Sequence, residues 1–201
     1  MKLTDKRVAI LATDGFEQSE LFDPKEALEK AGAIVDIISL KSGKIKAWDT
    51  DDWGGTIEVD LTASKANSDD YDALVLPGGV MNPDKLRSDK NAVEFVKSFV
   101  NDNKIIAAIC HGPWTLIEAG AVSGKEMTSW PSLKTDLENA GADWIDEKVV
   151  VDYNLITGRK PADLNAFNKK LIEMIAASGD SPQVKRKIPK RSLGHSVGLG
   201  R

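Results

Sequence analysis

The stretch that most constrains this chain is Ile105–Ile109, followed at once by Cys110, His111, Gly112 and Pro113. Five apolar residues without polar alternation predict a strand covered on both faces, as in a parallel sheet. Ala108, two residues before the cysteine, and Gly112, two after it, leave room for a strand-to-helix turn so tight that larger side chains would collide. At such an elbow a thiol projects from the carboxyl edge of a sheet. The start of the following helix favours its anion, so a Cys110 pKa below that of a free thiol is expected. A lone cysteine is otherwise an inert core filler. The adjacent His111 and the flanking small residues set the reactive reading above that one. The only other histidine, His195, falls in an irregular tail, so His111 is the base of any Cys–His pair.

Apolar runs recur along the chain with helical segments between them. Strands are expected at Arg7–Ala12, Ala33–Leu40, Asp72–Pro77 and Lys125–Trp130, with two more in KVVVDYNLITG. Asp23, Pro24 and Glu26 read as N-cap, first helical position and capping-box partner of a helix ending before Gly32. Ser88–Asn103 carries a 3.6-residue stripe of Ala92, Val93, Phe95, Val96, Phe99 and Val100; further helices are expected at Ser132–Ala140 and Ala162–Ala177. KSGKIKAW and GGTIEVDL form short strands around DTDDWGG. Its aspartates, Asp49, Asp51 and Asp52, lack the glycine and closing glutamate of a calcium loop, so they are read as a solvated turn and no metal is expected. Strands alternating with helices predict an α/β domain with a mostly parallel sheet covered on both faces.

Loops at the carboxyl ends of such strands are where ligand sites form. Glu17, in the loop Thr13–Ser19, therefore shares an edge with Cys110. Gly78 and Gly79, after Asp72–Pro77, make either a plain tight turn or an oxyanion hole of backbone N–H groups.

A chain of 201 residues suits one sizeable core. Six of the 27 bases and none of the 31 acids lie beyond Ser181, leaving the body at −10 and the tail at +6. The expected division is one domain over 1–180 and a basic tail over 181–201. An acidic body argues against nucleic acid as a partner. No apolar stretch reaches spanning length and no signal-peptide core opens the chain, so neither a membrane nor export is expected. A single cysteine precludes an intrachain disulfide, in keeping with the cytoplasm.

Taken in order, VAILATDGFEQSEL, ALVLPGGVMNPDKLR, AAICHGPWTLIEAG and LITGRKPADLNAF resemble the ThiJ/PfpI family, and within it the PfpI-type intracellular proteases and deglycases. The resemblance covers most of 7–177. It implies a flavodoxin-like, three-layer α/β/α sandwich of the class I glutamine amidotransferase-like superfamily. It also implies that Cys110 is the nucleophile, His111 its companion, and Glu17 the buried acid that hydrogen-bonds the sulfur. Gly78 and Gly79 then face the reacting oxygen, and Asp84 completes the triad from a neighbouring subunit of a homo-oligomer. LITGRKPADL contains no histidine, so the His-x-Glu of true glutamine amidotransferases is absent and glutamine hydrolysis is not expected.

The function implied is a stress-related cysteine hydrolase that needs no cofactor and acts on 2-oxoaldehydes or on glycated proteins or peptides. Two alternatives use the same residues. One is an intracellular peptidase; the other is a redox sensor or chaperone whose Cys110 oxidises to a sulfinic acid.

Overall fold

The computed structural model describes residues 2–178. The basic tail, His195 and the expected division at 180/181 lie outside the described residues. In chain order, β1 (Arg7–Leu11), a two-residue β2 (Phe16–Glu17), α1 (Gln18–Lys30) and β3 (Ile34–Ser39) lead into a hairpin of β4 (Gly43–Asp49) and β5 (Asp52–Val59). Next come β6 (Leu61–Thr62), β7 (Ala73–Leu76), α2 (Met81–Arg87), α3 (Lys90–Asn101), β8 (Ile105–Ile109) and α4 (Pro113–Glu118). The described chain closes with β9 (Glu126–Met127), α5 (Lys134–Asn139), β10 (Asp143–Trp144), β11 (Val149–Asp152), β12 (Leu155–Gly158) and α6 (Leu164–Ala177).

Seven strands form the central sheet in the order β11-β12-β8-β7-β1-β3-β6, parallel throughout except for the edge strand β11. Its middle strands, ALVL in β7 and IIAAI in β8, are buried along their whole length because both faces are covered. Alternate side chains supply two cores. Ile105, Ala107 and Ile109 point to the side of Leu21 and Leu28 from α1 and Phe167 and Leu171 from α6. Ile106 and Ala108 point to the side of Phe95 and Phe99 from α3 and Leu116 from α4. This is the expected three-layer α/β/α sandwich.

From β1 the chain moves outward to β3 on one side, and from β7 to β8 on the other. The crevice at the carboxyl ends of β1 and β7 is therefore the switch point where open sheets of this kind bind ligands.

Three local expectations are corrected. Helix α1 starts at Gln18, not at Pro24, because β2 pairs with β4 as far as Glu17 and the Glu17 carboxylate then accepts the Ser19 N–H. Pro24 sits inside the helix and withholds one i→i−4 bond, a cost offset by burial of Leu21, Pro24 and Leu28. The strand expected at Lys125–Trp130 is only Glu126–Met127. Beyond it the Thr128 N–H donates to Thr157 Oγ1 and the Trp130 N–H to the Cys110 carbonyl, so the ladder cannot continue. Finally, α2 follows the two glycines where no helix was foreseen. It is short and lacks a side-chain cap bond, so the sequence carries little to announce it.

Candidate active site

Strand β8 ends at Cys110, whose φ is +60°, a left-handed conformation that a non-glycine residue adopts only when its surroundings impose it. They do so here. The Cys110 N–H donates to the Gly158 carbonyl at 3.0 Å, its own carbonyl accepts from Trp130 at 2.9 Å, and the Gly112 N–H closes the turn on Ile109 at 2.9 Å. A Cβ on Gly112 would stand 2.4 Å from the Leu76 carbonyl oxygen, so only glycine fits. The elbow is thus fixed by backbone contacts from β7, β8 and β12.

The thiol that this turn presents is 7 % exposed. The backbone N–H groups of Gly79 and His111 point at its sulfur, and His111 Nδ1 lies 3.2 Å from Sγ. Burial, and after it the charge of an ionised Glu20, push the thiol up, while the two N–H groups pull it down. The expected low pKa is thereby corrected. Desolvation outweighs the helix end, and α4 has only six residues. Burial also lowers the His111 pKa, so the imidazole is neutral at physiological pH.

The carboxyl beside the sulfur belongs to Glu20, where Glu17 was expected. Glu20 is wholly buried; its Oε2 accepts the Gly78 N–H at 2.9 Å, its Oε1 has no hydrogen-bond partner among the described residues, and its carboxyl lies close enough to Cys110 for the two groups to shift each other's pKa. Burial first, and the neighbouring charge of Glu17 second, push Glu20 up to about 8, against the pull of the Gly78 N–H. At neutral pH it therefore carries its proton. Glu17 is only half-buried and spends one carboxylate oxygen on Ser19, through both the N–H at 3.3 Å and the hydroxyl at 2.8 Å. The physical reason is helix phase. With α1 running from Gln18, residues 20, 21, 24 and 28 face the sheet, and 17 caps the end. Glu17 reaches the site only through its charge.

The paired glycines serve different purposes. A Cβ on Gly78 would lie 2.6 Å from Glu20 Oε2 and 2.7 Å from Cys110 Cβ, so its bareness lets acid and nucleophile meet. Its N–H is already given to Glu20, which corrects its expected role as a donor to the reacting oxygen. Gly79, at φ +76° and pressed against Gly15 and Glu17, keeps its N–H on the sulfur. Asn82, buried and not anticipated from the sequence, ties the loops together: its Oδ1 accepts from the Thr13 N–H at 2.8 Å, and its Nδ2 donates to the carbonyls of Pro77 and Gly78 at 2.9 and 3.1 Å.

Around His111 stand Trp114, edge-on at 5.1 Å between ring centroids, and Trp130, stacked at 6.1 Å. Asp84 lies in α2, exposed, and makes no side-chain hydrogen bond among the described residues. The chain thus brings together Cys110, His111, Gly79 and Glu20 and leaves Asp84 apart. No group of three or more His, Cys, Asp or Glu side chains is placed to hold a metal ion among the described residues. No helix among them is long and apolar enough to cross a membrane.

A parallel α/β sandwich with a buried cysteine on a strand-to-helix elbow, an adjoining histidine and a buried acid defines a class of cysteine-centred α/β proteins. Within that class, the profile of the DJ-1/PfpI family matches residues 6–174, and the chain belongs to this family. It is 42% identical over 170 residues to the putative cysteine protease YraA of Bacillus subtilis, covering 85% of this chain and 98% of that one. It is 38% identical over 169 residues to deglycase PfpI of Pyrococcus furiosus, covering 84% and 99%. General stress protein 18 of B. subtilis is 42% identical over 173 residues, covering 85% and 98%. Among solved structures, Drosophila melanogaster DJ-1beta superposes with a TM-score of 0.77 at 31% identity, covering 88% of this chain and 91% of that one.

Proposed function

We propose that this protein is a PfpI-type cysteine hydrolase of reactive carbonyls, with 2-oxoaldehydes or their adducts on proteins as substrates. The observation that carries the reading is the meeting of Cys110 Sγ with His111 Nδ1 at 3.2 Å, under a buried Glu20 carboxyl that keeps its proton at neutral pH. In the first step the thiol proton moves to Nδ1 and Sγ bonds to the aldehyde carbon. The carbonyl π pair goes to oxygen, which takes up the proton and becomes the hydroxyl of a hemithioacetal. Glu20 then serves as the shuttle: it gives its proton to the second carbonyl oxygen and, as carboxylate, takes the hydrogen of the sulfur-bearing carbon, then returns that proton to the second carbon as the hemithioacetal hydroxyl gives up its own, leaving a thioester on Cys110. Water adds to the thioester carbonyl and the C–S bond breaks with the Cys110 thiolate as leaving group, so a 2-oxoaldehyde plus water yields a 2-hydroxy acid.

An aldehyde is favoured over a peptide bond by the inventory of donors. Gly78 is committed to Glu20, leaving the Gly79 and His111 amides for an oxyanion, and an amide, the poorer electrophile, leans harder on such donors than an aldehyde does. The names of the Pyrococcus and Bacillus relatives fit both chemistries. Asp84 is proposed to add a carboxylate to the site from a second subunit, which makes the protein a homo-oligomer with shared sites. It is read as a cytoplasmic protein, in keeping with its likeness to a general stress protein.

Incubation with methylglyoxal, a glycated peptide and casein in parallel, with Cys110→Ser as control, tests this. Cysteine-dependent turnover of the first two is expected; cleavage of casein alone would overturn the carbonyl reading. For the shared site, mixing inactive Cys110→Ser with Asp84→Ala should restore part of the activity, and full activity of Asp84→Ala by itself would remove Asp84 from the mechanism.

A further inference from the structure

With Nδ1 of His111 turned to Cys110, the other ring nitrogen needs its own partner, and that partner decides which nitrogen carries the proton. Ser132 Oγ is the side-chain atom at hand, 3.5 Å from Nε2 in a part-buried setting. The ring has little freedom to turn away, since Trp114 meets it edge-on and Trp130 stacks on it. Ser132 is held as well. It lies in the single turn Pro131–Leu133, whose buried Leu133 returns its N–H to the Trp130 carbonyl at 3.0 Å. Trp130 in turn donates its N–H to the Cys110 carbonyl. Elbow, imidazole and serine turn thus form one braced unit.

We propose that Ser132 is a positioning residue that accepts a hydrogen bond from His111 Nε2–H and so leaves the Nδ1 lone pair directed at the Cys110 thiol. The opposite arrangement, with Ser132 donating to Nε2, puts the proton on Nδ1 and aims a further N–H at a sulfur that already faces the Gly79 and His111 amides and Glu20. It also leaves the thiol proton without an acceptor. In the proposed arrangement the S–H proton passes to Nδ1, giving a thiolate and an imidazolium whose Nε2–H stays on Ser132. Apart from a second subunit, one chain then suffices for the first proton transfer. The inference rests on the reading of Cys110 and His111 as nucleophile and base, and deepens it by naming what sets the base's tautomer.

The test is ¹⁵N NMR of the imidazole in a His195→Gln background, where His111 is the only histidine, compared among the parent, Ser132→Ala and Ser132→Thr. The parent and Ser132→Thr should hold the Nε2–H tautomer, and Ser132→Ala a mixture. Cys110 alkylation by iodoacetamide should slow about tenfold in Ser132→Ala and recover in Ser132→Thr. An Nδ1–H tautomer in the parent, an unchanged spectrum in Ser132→Ala, or a change produced by Asp84→Ala and not by Ser132→Ala would each overturn the proposal. The spectrum needs no substrate, so it stands or falls separately from the carbonyl chemistry.

Discussion

Two strand-to-helix connections at the same sheet edge supply the site, and they are held by different means. Between β8 and α4 the turn is three residues, Cys110, His111 and Gly112, locked by main-chain hydrogen bonds and by a glycine that no other residue can replace. Between β1 and α1 the chain wanders through Ala12–Glu17, borrows a ladder from β4, and is tied to the β7 loop by Asn82. The first connection fixes its nucleophile through the backbone. The second fixes its acid through helix phase, since Glu20 meets Cys110 only because α1 begins at Gln18. A nucleophile held by backbone strain tolerates almost no local change, whereas an acid held by helix phase tolerates change in its loop while burial is kept.

That contrast is sharpened most by Gly112→Ala. With the new methyl 2.4 Å from the Leu76 carbonyl oxygen, the turn must open at a cost of about 3 kcal/mol, and Cys110 alkylation and turnover should both be lost. Thermal unfolding and iodoacetamide kinetics read the two effects. A stable, active variant would break the account of the elbow. Next comes Glu20→Gln, which keeps shape and removes the acid. Turnover should fall about a hundredfold, equivalent to about 2.7 kcal/mol of transition-state stabilisation, with secondary structure unchanged by circular dichroism.

Glu17→Ala should do far less. Losing the cap costs about 1 kcal/mol of stability, while turnover stays within about threefold. Removing the Glu17 charge also relieves part of what holds Glu20 up, so the pH profile should move to lower pH. A hundredfold loss in Glu17→Ala with little effect in Glu20→Gln would reverse the two assignments.

The same contrast explains what could be read from the sequence. The elbow was legible because every determinant, the apolar run, Ala108, Cys110 and Gly112, lies within a few residues. The layered sheet was legible because its strands are continuous apolar runs separated by helical stripes. The acid was misplaced because the resemblance points to the first glutamate of GFEQSE, Glu17, while a helix start at Pro24 hides the helix phase that turns Glu20 to the sheet. The signal that could have found it was phase: Glu20, Pro24 and Leu28 recur every fourth residue with Leu21 alongside, so Glu20 falls on the buried stripe. Asn82 and Ser132 left no such trace, because the Thr13 N–H and the His111 ring that they meet come near only through tertiary folding. The Cys110 pKa was misjudged for a related reason: the local helix end is visible in sequence, while the desolvation that outweighs it comes from the whole fold.

The central claim is that Glu20 sits neutral against Cys110, and the pH dependence of unfolding tests it most directly. Glu20 is raised from its ordinary value of 4.5 to about 8 in the folded protein. A raised group contributes stability that is fully present below the unfolded value and is lost as pH climbs through the folded one. Relative to Glu20→Gln, the parent should therefore lose stability between pH 4.5 and pH 8, by roughly 5 kcal/mol at most, and the difference should level off on either side. His111, buried in both proteins, cancels in the comparison. Denaturant unfolding of the two proteins across that range is the measurement. A difference that narrows steadily as pH rises and then flattens above about 8 is the predicted result. Two parallel stability curves from acid to alkaline pH would mean that Glu20 is ionised at rest, and would contradict the account.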